Sequence, residues 1–450
     1  MLAAMSTAAF RPSSQATAVS RDRGDACPGT LRLHAADDGA LARVRIPGGV
    51  LTVRQAEVLA EAARRLGDGE LHLTSRGNVQ MRGLADGCGA ELAELLTAAG
   101  LLPSRGHERI RNIVASPLSG LDGRGLRDVR PWLSALDAAL CASEAAQALS
   151  GRFLFALDDG RGDLAGLGAD VTVRAAADGG AQVALGNADQ ALHVSAQDAP
   201  RAALVAAEVF LAAVRASGTH AWRVAELALA DDELLRSAGR RLTAEGIGHD
   251  RRAREPGTTS PADGPVPGAV GDAALSVHVP LGRLSALQWR ELTRVATGEL
   301  RLTPWRGVVL PTPGATPAQA AESLARLAAV GLVTDPASPW LRVGACIGRP
   351  GCAKSRADVR ADATGTLGAV DTVGAVGTAG LRGLPLYWSG CERRCGHPGG
   401  ERIDVVAAPD GGYRLCATAP GDEPGSEPRT ASIDDPSQLA TALATITSRT

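Results

Sequence analysis

The sequence has few aromatic residues, a single lysine, no long apolar run and almost no net charge. Only 3% of its 450 residues are Phe, Trp or Tyr, and the 47 basic residues comprise 46 arginines and Lys354. The net charge of −2 excludes a generic polyanion binder, so nucleic acid is not an expected partner. The most apolar helix-like stretch, residues 202–216, is interrupted by Glu208 and Arg215, so we predict no membrane span.

The start of the chain and its eight cysteines indicate a cytoplasmic protein with no membrane partner. The first residues are rich in Ala, Ser and Thr, and no basic segment precedes an apolar one. We therefore predict that residues 1–24 are a disordered tail and not a secretory signal. Because a disulfide framework is not expected in a chain of this length without such a signal, paired cysteines indicate a metal site.

The sequence repeats itself once, in short blocks that keep their order and a nearly constant offset. The blocks are VRIPGGVLTVRQ (44–55) and VHVPLGRLSALQ (277–288), GELHLT (69–74) and GELRLT (298–303), and an Arg-Gly pair at 76–77 and 306–307. This period is far too long for a solenoid. The blocks therefore predict a duplicated domain with pseudo-two-fold symmetry.

Each copy has the pattern of a β-α-β unit. A short alternating strand is followed by an N-cap residue, Thr52 or Ser285, and then by an amphipathic helix. Further along the second copy, Thr316 begins another helix that Gly331 ends. Helix and strand signals are thus mixed throughout, which predicts an α+β fold.

Four of the cysteines form two close pairs in the second copy. Five residues separate Cys346 from Cys352, and three separate Cys391 from Cys395. Four thiolates can hold a structural zinc or an iron–sulfur cluster. These spacings fit zinc knuckles poorly, and the glycines around the first pair let the backbone wrap closely, which favours a 4Fe-4S cluster. Zinc, or four unrelated buried thiols, are the alternatives.

The order of these motifs resembles the sulfite and nitrite reductase superfamily over most of residues 25–416. The motifs are RIPGGVLT (45–52), LTSRGNVQMRG (73–83), RNIVASP (111–117), GRFLFALDDGRGD (151–163) and the two cysteine pairs. The resemblance implies a duplicated fold of ferredoxin-like half-domains and α/β domains around a central cavity. It also implies a 4Fe-4S cluster whose ligands are Cys346, Cys352, Cys391 and Cys395, with Cys395 nearest the reacting centre.

The resemblance and the composition together divide the chain into six segments. Residues 249–273 are rich in Pro, Gly and charge and predict a linker, and residues 361–382 predict a low-complexity insertion. The predicted segments are a disordered tail (1–24), a first ferredoxin-like half-domain (25–105), a first α/β domain (106–248), the linker (249–273), a second half-domain (274–338) and a cluster-binding α/β domain (339–450).

Three arginines at motif positions are implied to bind a tetrapyrrole. Arg76 and Arg111 match the anion-binding arginines of the superfamily, and Arg152 matches one of its basic cavity residues. A guanidinium suits this role because it stays charged and pairs carboxylates bidentately. In a chain with 46 arginines, the alternative for each is a solvated surface residue. Weaker candidates are Arg82, Arg109 and Arg306.

One departure separates two branches of the superfamily. Sirohaem-binding reductases carry a second basic residue two positions after the one matched by Arg152, and this chain has Leu154 there. The missing charge weakens binding of a small oxyanion.

The segments SRGNVQMRG and GCERRCG look more like the precorrin-3B synthase family of aerobic cobalamin biosynthesis. That resemblance implies oxidation of precorrin-3A by O2 and an external reductant, with ring hydroxylation and γ-lactone formation. The alternative is a sirohaem-dependent assimilatory nitrite or sulfite reductase.

The same resemblance implies a mononuclear non-haem iron, for which the sequence identifies no ligands. His397, two residues after Cys395, is a candidate, and His72 and His107 are weaker ones. None of them has the spacing of a two-His-one-carboxylate site. No G-x-G-x-x-G motif follows a strand, so we expect an external electron donor, either a ferredoxin or a separate reductase. The catalytic residues remain unassigned.

Overall fold

The computed structural model describes residues 25, 27–227, 229, 231–255, 264–373, 384–397, 401–418, 429–439 and 441–443. The predicted tail at 1–24 lies outside these residues. The chain begins with a small antiparallel unit that carries two helices. Its elements are β1 (His34–Ala36), β2 (Gly39–Val44), β3 (Val50–Thr52), α1 (Val53–Leu66), β4 (Leu71–Leu73), β5 (Val79–Leu84) and α2 (Gly89–Ala98).

A larger α/β unit follows, in which three helices cover one face of a six-stranded sheet. Its elements are β6 (Ile113–Ala115), α3 (Arg130–Ala142), β7 (Phe155–Asp158), β8 (Val171–Ala175), β9 (Ala181–Leu185), β10 (Gln190–Val194), α4 (Ala199–Ser217), α5 (Asp231–Ala244) and β11 (His249–Ala253). The sheet order is β11-β10-β9-β8-β7-β6, and β6, β7 and β8 are parallel. Strand β11 shows that the first residues of the predicted linker belong to this sheet.

The second copy repeats this plan. Its small unit consists of β12 (Gly268–Val270), β13 (Ala274–His278), β14 (Arg283–Leu284), α6 (Ala286–Val295), β15 (Glu299–Leu302), β16 (Gly307–Pro311) and α7 (Pro317–Ala329). Its α/β unit consists of β17 (Val343–Ala345), α8 (Val359–Val373), β18 (Leu386–Ser389), β19 (Arg402–Ala407), β20 (Tyr413–Thr418) and β21 (Arg429–Ile433). Helix α8 occupies much of the predicted low-complexity insertion.

The two small units exchange strands. One sheet has the order β1-β2-β5-β4-β14 and the other has the order β12-β13-β16-β15-β3, so each copy contributes one edge strand to its partner. Apolar side chains of both copies form one continuous core. Trp289, which is fully buried, donates from Nε1 to the carbonyl of Ala56 at 2.7 Å across the two copies. The pseudo-symmetric packing expected from the repeat is therefore confirmed.

Capping residues explain where the helices begin. Thr52, Ser285 and Thr316 each accept the N–H of a glutamine three residues later, and that glutamine side chain accepts the N–H of the cap in return. This reciprocal pair satisfies two of the helix's free N–H groups, which typically stabilises a helix start by about 1 kcal/mol. The three predicted helix starts are confirmed.

The Arg-Gly pairs of the two copies are not equivalent in space. The turns 74–78 and 303–307 are closed by the same threonine N–H to carbonyl hydrogen bond, 2.9 Å long in each. Within them Gly77 and Arg306 both have left-handed φ, 65° and 59°. Arg306 therefore stands where the first copy has glycine, and Trp305 replaces Arg76. Matching the two Arg-Gly pairs in sequence was off by one residue, because the offset between the copies stays at 229 through this turn.

Among the residues that the structure describes, no helix is both long enough and apolar enough to cross a membrane.

Candidate functional site

The cysteine pairs lie on loops that leave the same edge of the last sheet. Cys346 directly follows β17, and Cys391 and Cys395 follow the neighbouring parallel strand β18. Loops after adjacent parallel strands emerge at one edge, so the fold brings the two pairs together. Cys352 lies in the loop between β17 and α8, and Cys395 is exposed.

The surroundings of Cys346 suit a bound cluster. The N–H of Gly390 donates to its Sγ at 3.3 Å, and its own N–H donates to the carbonyl of Trp388. Burial raises the pKa of the Cys346 thiol, and the nearby Cys395 and Cys391 raise it further. A thiol in this position becomes a stable thiolate once positive iron balances the crowded charge.

The loop that carries Cys395 is fixed by a buried tyrosine. The hydroxyl of Tyr387 donates to the Cys395 carbonyl at 2.6 Å, and burial raises the pKa of Tyr387 to about 12. The phenol therefore stays protonated and remains a donor at neutral pH. On the same loop, Arg394 forms an ion pair of 2.9 Å with the fully buried Asp404.

The cysteine sulfurs of the described residues are not gathered as closely as a single zinc ion requires. Four thiolates around one zinc lie about 3.8 Å apart, since tetrahedral Zn–S bonds are about 2.3 Å long. In the described part of the chain, no three cysteine sulfurs lie within 4.8 Å of one another. An N–H···S bond such as that to Cys346 also stabilises cluster sulfurs. Four thiols on neighbouring loops are the donor set of a 4Fe-4S cluster, and their assignment as ligands stays a prediction.

The first copy has a serine where the second has Cys346. Ser116 follows β6 as Cys346 follows β17, and its N–H donates to the carbonyl of Leu157 at 3.1 Å. The N–H of Asp159 donates to Ser116 Oγ at 3.2 Å, matching the Gly390 contact of the second copy. The duplicated scaffold is thus preserved at this position, but the thiol is not. Ser116 instead donates to the carboxylate of Asp163 at 2.7 Å.

The carboxyl of Asp163 is expected to make folding pH-dependent. Burial, and then the neighbouring Asp158, raise the pKa of Asp163 to about 7 from its usual 3.8. Between about pH 4 and pH 7 the folded state therefore holds a proton that the unfolded chain releases. The free energy of unfolding falls as the pH rises through this range, because the buried carboxyl must then ionise. Asp163→Asn cannot ionise, and we expect it to raise the urea midpoint at pH 8 and to change it little at pH 4.

Equilibrium urea unfolding at both pH values tests this expectation. The exposed Asp410→Asn is the control, since it removes one carboxylate from a surface turn. Equal midpoint changes at pH 4 and pH 8 for Asp163→Asn would contradict the raised pKa.

A cluster of four arginines lies in the first copy; we call Arg43, Arg45, Arg76 and Arg152 the basic cluster. Nη2 of Arg45 contacts Cys27 Sγ at 3.1 Å, and Nη1 of Arg43 approaches the same sulfur at 3.8 Å. Nε of Arg43 and Nη1 of Arg45 are buried, and neither has a hydrogen-bond partner among the described residues. Buried donors are rarely left unpaired, which makes this concentration of positive charge a candidate site for an anionic group.

Arg76 and Arg152 complete the cluster. Nη1 of Arg76 donates to the Arg152 carbonyl at 3.1 Å. Burial, then Arg223 and Arg45, lower the pKa of Arg76 to about 10. Burial and neighbouring positive charges both disfavour the charged guanidinium, and a carboxylate bound nearby would favour it. The guanidinium of the exposed Arg152 lies 5.6 Å from the ring centre of Trp222.

The structure places Arg111 differently from the other two predicted arginines. Its guanidinium forms a bidentate ion pair with Asp137, with both distances 2.7 Å, and also donates to the carbonyl of Leu101 at 3.0 Å. Arg111 is only 4% exposed. These contacts make it part of the framework, although its predicted role in binding is untested.

Sequence reasoning missed Arg43, Arg45 and Cys27. The repeated RIPGG motif contained Arg45, and the alternation of β2 puts Arg43 on the same side of the strand. Cys27 lies 16 residues before Arg43 and gave no pattern of its own.

No histidine of the described residues forms a convincing iron site. In the part of the chain that the structure describes, three possible metal ligands lie within 4.8 Å of one another: the side chains of Asp68, Glu70 and His72. Arg360 faces Nδ1 of His72 at 3.3 Å, and since arginine only donates, Nε2 must carry the proton and cannot bind a metal. Glu70 is already paired with Arg283.

The other two candidate histidines offer no alternative. Both ring nitrogens of His107 contact protein oxygens, Ser104 Oγ at 2.7 Å and the Ser143 carbonyl at 2.9 Å. His397 is exposed, and its N–H donates to the carbonyl of Arg394. The mononuclear iron stays a prediction from the sequence.

A family model of the nitrite/sulfite reductase ferredoxin-like half domain matches the chain twice, at residues 34–99 and 267–330. The chain is thus similar to the nitrite and sulfite reductase superfamily in both half-domains. It is 28% identical to a ferredoxin–nitrite reductase from Synechococcus elongatus over 398 residues, which is 82% of this chain and 76% of the relative. It is 26% identical to a precorrin-3B synthase from Sinorhizobium over 420 residues, which is 90% of this chain and 86% of the relative.

The solved structure of NirA from Mycobacterium tuberculosis shares the fold of this chain. It covers 89% of this chain and 79% of its own length with a TM-score of 0.63 and 16% identity. The expected duplicated fold with ferredoxin-like half-domains is thereby confirmed. The relatives carry out two different reactions, and identities of 28% and 26% differ too little to choose between them.

Proposed function

We propose that this protein is a precorrin-3B synthase that oxidises precorrin-3A with O2 and an external reductant. One oxygen atom enters the macrocycle, which is hydroxylated and closes a γ-lactone from a ring acetate. The other oxygen atom leaves as water, with two electrons from the reductant and two protons. Similarity to a precorrin-3B synthase along 86% of that relative supports the proposal.

The observation that carries the proposal is the environment of Leu154. This side chain is 2% exposed and packs with Val114, Ala156, Leu164 and Ala169 in a small apolar cluster. Sirohaem-binding reductases resemble this chain but have a basic residue at that position. An ammonium group among these apolar side chains would lose its hydration without gaining a partner. The local packing is therefore adapted to an uncharged residue, which favours a large organic substrate over a small oxyanion.

The basic cluster supplies the binding chemistry that such a substrate needs. Precorrin-3A is a tetrapyrrole bearing many carboxylates, and the guanidinium groups of Arg43 and Arg45 contribute positive charge that attracts them. Arg76 adds a third cation whose lowered pKa favours an incoming anion. In this account the arginines orient the macrocycle and neutralise its charge.

Cys346, Cys352, Cys391 and Cys395 would hold the 4Fe-4S cluster, which supplies electrons one at a time when bound. The exposure of Cys395 leaves one side of the cluster loops open. Tyr387 keeps the Cys395 backbone in place through its hydroxyl group. An external donor, a ferredoxin or a separate reductase, is required because the chain has no nicotinamide-binding motif.

A sirohaem-dependent nitrite or sulfite reductase is the second candidate. The observation that favours it is the similarity to a ferredoxin–nitrite reductase, which extends over 82% of this chain. In that case the basic cluster would hold the carboxylates of sirohaem as a cofactor. The two candidates thus share the arginines and differ in whether the tetrapyrrole stays bound.

The absorption spectrum of the anaerobically purified holoenzyme separates these candidates. We expect the broad visible absorption of an iron–sulfur cluster and about four irons per chain from the cluster, with about one more where the mononuclear iron is retained, and no haem-type bands. Strong bands from a tightly bound sirohaem would overturn the synthase proposal in favour of the reductase. Stoichiometric zinc in place of iron would overturn both.

A further inference from the structure

The two peptide groups on either side of Cys352 are held by the first copy of the repeat. Before the cysteine, the carbonyl of Gly351 accepts a hydrogen bond from Nη2 of Arg82 at 2.8 Å, across 269 residues of sequence. After it, the N–H of Ala353 donates to Oδ2 of Asp37 at 2.5 Å. Cys352 is therefore anchored by side chains that belong to a different domain from its own.

Arg82 itself is rigidly placed. Its Nε and Nη2 bind the carboxylate of Asp38 at 2.7 and 2.8 Å, and its side chain is only 4% exposed. A bidentate pair fixes the plane of the guanidinium, so the remaining donor direction toward Gly351 is also fixed. The approach is so close that a Cβ on Gly351 would lie 2.8 Å from Asp38 Oδ2. We call Asp37, Asp38 and Arg82 the clasp.

The half-domain fold does not itself require Arg82. Val44 pairs with Val79 in the first copy, and the equivalent Val277 pairs with Val308 in the second. Three residues further along each strand, the first copy has Arg82 and the second has Pro311. The arginine is thus specific to the copy that contacts the Cys352 loop.

Cys346 is anchored in a different way. Its contacts come from its own α/β unit: the carbonyl of Trp388, the N–H of Gly390 and, on its carbonyl, Nε of Arg360 at 3.1 Å. Loss of the clasp would therefore release one cysteine of the pair and leave the other in place.

We propose that the clasp is a positioning device for Cys352, by which the first copy holds the cluster loop of the second in ligating geometry. This inference rests on the proposed 4Fe-4S cluster. The clasp acts through the peptide groups on either side of Cys352 and not through contacts with cysteine sulfur atoms. The clasp thereby makes retention of the cluster depend on the contact between the two copies.

The test measures how fast the anaerobic holoenzyme of Arg82→Met loses iron to a chelator. We expect release about tenfold faster than in wild type, because the Gly351 contact is a hydrogen bond from a charged donor. Arg82→Lys keeps the charge but cannot bridge Asp38 and Gly351 with one planar group, so its rate should be intermediate. The matched control is Arg301→Met, since Arg301 is also buried and bonds the carbonyls of Pro117 and Ser119 in the other copy.

Asp37→Ala provides a second variant if Arg82→Met does not fold. Asp37 is exposed, so its replacement removes the Ala353 contact without opening a cavity. We expect faster iron release at an unchanged melting temperature. Release at the wild-type rate in this variant and in Arg82→Lys, or equally fast release in Arg301→Met, would overturn the clasp proposal. Iron-free wild-type protein would instead overturn the proposed function.

Discussion

Replacing Cys395 by serine is expected to abolish the visible absorption, the EPR signal of the reduced cluster and the enzymatic activity together. Serine is nearly isosteric, but its hydroxyl is not a thiolate and binds iron far less well at neutral pH. Because Cys395 is exposed, the substitution should leave the folded core unchanged. Iron and acid-labile sulfide per chain, measured with the EPR spectrum, check this expectation.

Cys88→Ser is the matched control for that variant. Cys88 is also only partly buried, but it lies before α2 in the first half-domain, far along the chain from both cysteine pairs. It should retain iron, spectrum and activity. A Cys395→Ser protein with full cluster content would show that Cys395 is not a ligand.

Replacing Arg76 by glutamine is expected to raise the KM for the tetrapyrrole by roughly 10- to 100-fold, the effect of losing one charge-assisted hydrogen bond to a carboxylate. The cluster spectrum should not change, because Arg76 contacts the Arg152 carbonyl and no cysteine loop. Steady-state kinetics and the absorption spectrum of the same preparation check both parts. An unchanged KM would place Arg76 outside the binding site.

Arg111→Gln provides the contrast for Arg76. Its partner Asp137 would be left without a counter-ion, and breaking a buried ion pair usually costs about 3–5 kcal/mol of folding free energy. We therefore expect a lower urea midpoint for Arg111→Gln with an unchanged KM in the folded enzyme. A raised KM at unchanged stability would instead support the binding role that the sequence motif predicts.

Local signals made much of the fold predictable. Each of the three helix starts was marked by a threonine or serine followed by glutamine three residues later, and such a capping box acts over a single turn of chain. The duplication was also predictable from the sequence, since Pro47 and Pro280 begin the same short turn in the two copies. These features depend on neighbouring residues, which a sequence displays directly.

Contacts between distant residues were not predictable. The ion pair between Arg111 and Asp137 depends on how α3 packs, and no spacing of residues in the sequence indicates it. The correspondence of Arg76 with Trp305 was missed because both copies contain an Arg-Gly pair, and the two pairs lie one residue out of register with each other. Helix α8 was missed because its buried residues, such as Val359 and Ala363, are scattered among Gly, Ala and Thr.

The mass of the product formed from precorrin-3A, O2 and a chemical reductant tests the central proposal most directly. We expect a product that has gained one oxygen atom, which carries the label when ¹⁸O2 is supplied, and no product without O2. Unchanged precorrin-3A under these conditions, together with reduction of nitrite or sulfite by the same sirohaem-containing preparation, would contradict it.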